Sequence, residues 1–176
     1  MLRFAEMNRA QINKIKGKLE RFGKSRWINL ILLSVSCIDF FALFIPSDAF
    51  LVAAILIRPQ HVIRFTSLMI LGRLTAIVLA YQLVAFVTVA QLQTWAGSLG
   101  LESAWNQTHS FFQQFGALST GITAVTPFPM LFPTFLSFAS GSSLISVLLW
   151  SLLGVGIRYA ILAFAVLTAN KLISRV

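Results

Sequence analysis

Four ionisable side chains, Asp39, Asp48, Arg73 and Arg158, interrupt long apolar stretches of this chain. In hydrocarbon a charged group near the centre of a span costs about 2.5 to 3.5 kcal/mol, so each needs a partner or a wet cavity and marks a candidate functional site. Asp48 follows Pro46 by two residues. The proline stops the helix before it, which places Asp48 at the start of a new half-helix whose positive dipole end favours a carboxylate. Its candidate roles are a proton-coupled gate or a partner of Arg73 that seats the broken segment. Asp39 lies nine residues upstream of Asp48. It either meets Asp48 across the break or faces water near a headgroup. Arg73 lies eight residues into its apolar segment, from where its long side chain could snorkel to the interface. Arg158 sits nearer the middle of its own. It is a candidate phosphate contact, or one half of an ion pair that locks helices together.

The breaks carry the second signal. Pro46 interrupts the first apolar stretch, and Pro127, Pro129 and Pro133 put three prolines within seven residues of another. No continuous helix survives that, and broken helix at membrane depth is tolerated only where it is buried in protein or lines a cavity. The freed carbonyls beside Thr126 and the Thr126 hydroxyl could then meet a passing polar group. His61 and His109 are far apart in connecting segments, and no His/Cys/carboxylate cluster has metal-ligand spacing. No nucleophile–base motif or phosphate loop is present. Neither a metal, a cofactor nor an enzyme activity is expected.

Composition sets the class. Of 176 residues, 57% are hydrophobic and 11% charged, with Phe at 16 positions and a mean hydropathy of +0.83. Soluble domains carry roughly a quarter charged residues, so this is read as an all-α membrane protein. Eight of the fourteen basic residues fall within residues 1–26. There Phe4, Met7, Ile12, Ile15, Leu19 and Phe22 recur at mostly helical spacing, as in an N-terminal amphipathic helix on an anionic leaflet. The alternative is a solvated tail that only sets topology. Basic flanks mark the cytoplasmic side, which outweighs a nucleic-acid reading. A cleavable signal peptide is not expected, and the single Cys37 reads as a small hydrophobe.

Residues 27–176 are read as one membrane domain. It comprises a re-entrant hairpin over 27–57, a span over 65–90, an outside connector over 91–114, a second re-entrant hairpin over 115–141 and a span over 144–169. Arg26, Arg58 and Arg64 put both ends of the first hairpin inside, the connector holds no Lys or Arg, and Lys171 and Arg175 return the chain to the basic side. Trp95 and Trp105 suit an interfacial position. The result is an inverted repeat of two re-entrant hairpins, each followed by a transmembrane helix. The spacing agrees: Pro46 precedes Gly72 by 26 residues and Pro129 precedes Gly154 by 25, with Arg73 and Arg158 close behind.

These residues resemble the DedA family, whose shared membrane domain is called VTT or SNARE-associated. Pro46-Ser47-Asp48 is similar to the Pro-Gly-Glu tip of its first hairpin, and Leu71-Gly72 with Tyr81 to its glycine-rich segment and tyrosine. Phe115-Gly116 looks like its aromatic-glycine pair, and Thr126-Pro127-Phe128-Pro129 with Ala139-Ser140-Gly141 like its second hairpin. The likeness covers roughly residues 38–169. The chain departs from many members in having no arginine in Ala124-Val125-Thr126 or Met130-Leu131, which leaves Arg158 to supply a cation there. The resemblance implies a lipid transporter or scramblase of the bacterial cytoplasmic membrane with both termini cytoplasmic. Its cargo would be undecaprenyl phosphate or a phospholipid, with protons as a possible coupling ion and a homodimer as a possible assembly. An ion- or proton-coupled small-solute transporter and a non-transporting membrane assembly subunit are the other classes these features allow.

Overall fold

A computed structural model describes residues 27–42, 46–126 and 128–173; the amphipathic segment expected over 1–26, and Pro127, lie outside the described residues. The described chain is all helix and turn, with no strand. Helix α1 (Trp27–Ala42) buries Ile28, Leu32, Ser36 and Phe40. Their four-residue steps form one stripe on a helical surface. Pro46 caps the next helix, α2 (Ser47–Ile57), which carries Asp48 in its first turn. The stop before Pro46 and the restart after it match the expected break. α2 ends at Arg58, held at φ −145° ahead of Pro59, because the proline ring disfavours helical backbone in the residue before it. A 3-10 turn, Pro59–His61, then leads into α3 (Val62–Leu83).

The polar connector is itself folded. Its two helices are α4 (Val89–Ser98) and α5 (Glu102–Phe115). Thr88 and Gln91 form a capping box at the start of α4: the Gln91 backbone N–H donates to Thr88 Oγ1 at 3.3 Å, and the Thr88 N–H donates to Gln91 Oε1 at 2.9 Å. These bonds satisfy two of the donors that every helix start leaves open. Trp95 is exposed as expected, but Trp105 is only 4% exposed, turned inward edge-on to Phe132 at 5.5 Å. An indole is mostly apolar area, and burying it inside outweighs keeping it at an interface.

Beyond Gly116 come α6 (Leu118–Val125), α7 (Leu131–Ala139) and α8 (Leu144–Ile173). The break between α6 and α7 falls at residues 126–130. Pro133, read from sequence as part of it, is instead the third residue of α7. A proline in the first turn gives up an N–H that has no partner inside the helix anyway, so it starts this helix without breaking it. Every residue of α7 from Leu131 to Phe138 is buried. It is the innermost helix, touching α3, α4, α5, α6 and α8.

Two stretches, Pro59–Leu83 and Leu144–Lys171, are long and apolar enough to cross a bilayer. Most of what they leave exposed between their ends is itself apolar, including Ile63, Leu71, Ile145, Leu149, Leu153, Ile157 and Phe164. A surface of that kind and extent suits lipid and not water. They are also the structure's two posts: α1 packs on α3, α6 packs on α8, and α3 packs on α8.

Glycine sets how closely the posts are approached. A Cβ at Gly72 of α3 would lie 2.4 Å from the Leu33 carbonyl oxygen of α1, and one at Gly154 of α8 would lie 2.2 Å from the Gly121 carbonyl oxygen of α6. Both helix pairs therefore touch backbone to backbone, as small residues allow in membrane helices. Gly154→Ala should destabilise the protein by about 1 to 3 kcal/mol through overpacking. Gly156→Ala, whose Cβ would meet nothing within 4 Å, should be neutral or gain up to about 1 kcal/mol of helix propensity. Thermal unfolding of the purified protein in detergent checks both, and equal melting of the two variants would contradict the close crossing.

Candidate functional site

The structure sorts the intramembrane charges into two ion pairs. The first is buried. Arg73, in α3, donates through Nη2 to Asp39 Oδ2 of α1 at 2.5 Å, and the two side chains are 8% and 15% exposed. Ser47 of α2 donates its hydroxyl to the same Asp39 oxygen at 2.6 Å and lies 3.4 Å from Arg73 Nη2. Tyr159 of α8, itself 1% exposed, places its phenol beside the same guanidinium. Four helices thus meet on one cation. Pairing with surrounding hydrogen bonds is what lets a buried charge persist at all.

The expectations for Arg73 and Asp39 are corrected here. Arg73 does not snorkel, because Asp39 reaches it inside the fold. Nor does it pair with Asp48, the partner considered for it; Asp39 takes that place and so does not face water. Asp39 and Asp48 go to different arginines.

The second pair joins residues 110 apart in sequence. Arg158 of α8 pairs through Nη2 with Asp48 Oδ2, and its Nη1 donates to the Thr126 carbonyl at 2.9 Å. That carbonyl is left without a helical partner because α6 ends at Val125, with Thr126 extended at φ −90°, ψ 166°. The guanidinium therefore closes a break and neutralises a carboxylate at once. It remains more open than Arg73: the Arg158 and Asp48 side chains are 24% and 30% exposed. Asp48 Oδ1 has no hydrogen-bond partner.

These two side chains form the polar end of a cavity of about 220 Å³, whose other walls are Val125, Ile161 and Leu162. A smaller cavity of about 60 Å³ is lined by Gln107, Thr108, Phe111, Ile122, Thr123, Thr126 and Phe128. Thr126 touches the chemistry through its carbonyl. Its hydroxyl, expected to face a passing group, donates to the Thr123 carbonyl at 3.1 Å. A hydroxyl at the end of a helix meets the free carbonyl of its own last turn first. Pro46 stands at the first break and Pro129 within the second, while Pro133 lies inside α7.

The site residues first read from sequence, Asp39, Asp48, Arg73, Arg158 and Thr126, therefore all belong to these two clusters. Ser47 and Tyr159 were missed. Ser47 sat inside the quoted Pro46-Ser47-Asp48 motif with no role assigned. Tyr159 follows Arg158 directly, yet no spacing rule links it to a residue 86 positions earlier. Among the described residues no group of three His, Cys, Asp or Glu side chains is close enough together to hold a metal ion. No protein-family model, curated protein or solved structure matches this chain.

The two pairs should differ in stability. Asp39→Ala strands a buried guanidinium and is expected to cost about 3 to 5 kcal/mol. Asp48→Ala, at the half-open pair, is expected to cost about 1 kcal/mol or less. Thermal unfolding of each single variant in detergent micelles measures the contrast, and a larger loss at Asp48 would contradict the difference in burial between the two pairs.

Proposed function

We propose that the protein is a lipid transporter or scramblase that passes a lipid-phosphate head group through the cavity at Asp48 and Arg158. The observation that carries this reading is the composition of that site: one guanidinium and one carboxylate in an open groove whose other walls are aliphatic. A phosphate-bearing amphiphile needs both parts. Its head requires a cation to replace water in a low-dielectric site, and its tail requires apolar walls. Arg158 is the head-group contact, competing for it with Asp48. Thr126 positions Arg158 through its carbonyl.

The fold is consistent with an inverted repeat of two re-entrant hairpins, each followed by a spanning helix. In each half a short helix, a break near proline and a second short helix precede a long apolar helix. Each long helix also meets the first short helix of its half at a glycine. Ligand sites of inverted-repeat transporters lie between the halves at broken helices, and the Asp48–Arg158 pair joins the half-helix of one half to the long helix of the other. The resemblance to the DedA family supports the same reading. On that reading the protein would sit in the bacterial cytoplasmic membrane, with undecaprenyl phosphate or a phospholipid as cargo, protons as a possible coupling ion and a homodimer as a possible assembly.

Reconstitution into liposomes tests this. A labelled polyprenyl phosphate and a labelled phospholipid are followed separately for leaflet exchange by the native chain, Asp48→Asn and Arg158→Gln. The native chain should accelerate exchange of at least one lipid. Arg158→Gln should slow it by about tenfold or more, as expected for loss of a charge-assisted contact. Folded protein that exchanges neither lipid would refute the reading. Flux of a small solute in the same vesicles would then favour a solute transporter, and no flux at all a non-transporting assembly subunit.

A further inference from the structure

We infer that Ser47 and Tyr159 are positioning residues that tie the state of the Asp48–Arg158 cavity to the buried Asp39–Arg73 pair, an inference that rests on the reading of that cavity as the transport site. The connection is made by chain neighbours. Ser47 and Asp48 are consecutive on α2, and Arg158 and Tyr159 are consecutive on α8. Ser47 bonds Asp39 at 2.6 Å while Asp48 bonds Arg158. Tyr159 lies beside Arg73 while Arg158 closes the break at Thr126. Consecutive helical residues point about 100° apart and rise about 1.5 Å, so each of these two helices holds both clusters at nearly the same level.

The clusters differ in what surrounds them. Arg73 and its partner Asp39 are 8% and 15% exposed; around Arg158 one carboxylate oxygen is unpartnered and the cavity begins. Admitting a head group between Asp48 and Arg158 requires α2 or α8 to turn or shift. The same movement draws Ser47 off Asp39 or Tyr159 off Arg73, and buried polar groups that lose partners are costly. The buried cluster therefore biases the cavity toward its closed form. Conversely, a head group that stabilises the open form loosens the buried cluster, because coupling between two sites is reciprocal.

The test uses a readout that does not depend on transport. In a Cys37→Ser background, Val125→Cys places a thiol on the cavity wall, and Gln93→Cys places one on an exposed position of α4 in the polar connector. Reaction with a water-soluble methanethiosulfonate is timed in proteoliposomes, with and without Ser47→Ala or Tyr159→Phe. Each variant removes one oxygen and keeps the fold's packing. Both should speed labelling at Val125→Cys about fivefold, the effect of about one lost hydrogen bond, and leave Gln93→Cys unchanged. In lipid exchange both should change the maximal rate more than the half-saturating lipid concentration. Unchanged labelling at Val125→Cys, or equal acceleration at both sites, would overturn the inference. Accelerated labelling in a chain that exchanges no lipid would refute the transport reading while leaving the coupling in place. Lipid exchange with no change in labelling would refute the coupling alone.

Discussion

Two guanidinium groups placed midway along apolar helices are the constraint on which this structure depends. Neither can be deprotonated in a protein, and neither is tolerated against hydrocarbon without a counter-charge. Each draws a carboxylate from another helix: Arg73 takes Asp39 from α1, and Arg158 takes Asp48 from α2. The second pairing is available only because the chain is interrupted before Pro46. A helix that begins there presents Asp48 in its first turn, where the unpaired N–H groups also favour negative charge. The interruption after α6 serves the same arginine by leaving the Thr126 carbonyl to accept from it. The breaks and the charges are thus one arrangement.

Close helix approach is the second condition. Aspartate is short, so its helix has to come near the arginine it neutralises. Gly72 permits this between α1 and α3, while the Gly121–Gly154 contact draws α6 onto α8, so that the Thr126 carbonyl at the end of α6 reaches Arg158. Ser36 adds to the first crossing by donating to the Met69 carbonyl at 2.7 Å. Backbone contact of this kind supplies dispersion energy where no hydrophobic driving force separates one apolar helix from its lipid surroundings.

Much of this was legible in the residues. The apolar segments, the stop before Pro46 and the need of Arg158 for a partner followed from hydropathy, proline chemistry and the cost of an unpaired charge. The choice of partner did not, since Arg73 meets Asp39 across 34 residues and Arg158 meets Asp48 across 110. Helical periodicity relates residues within an unbroken helix, and each pairing crosses a break or a turn. Pro133 misled because three clustered prolines read as one interruption, whereas the third begins a helix. The helices of the connector were hidden by their polar composition, although Thr88 and Gln91 carried a capping-box spacing. Tyr159 was invisible because a lone mid-helix phenol has many possible uses, and only the packing of α8 on α3 selects one.

The burial of α7 from Leu131 to Phe138 has a consequence for biogenesis. Its walls come from α3, α4, α5 and α6 before it and from α8 after it. Its buried face includes the hydroxyl-bearing Thr134 and Ser137 as well as Phe132, Phe135 and Phe138. A nine-residue helix is too short to cross a bilayer as an independent segment. Four of its walls are already made when α7 itself is synthesised, and the last is added by the thirty-residue helix that follows. The order of translation therefore leaves the final side of this inner helix to be covered by the last piece made.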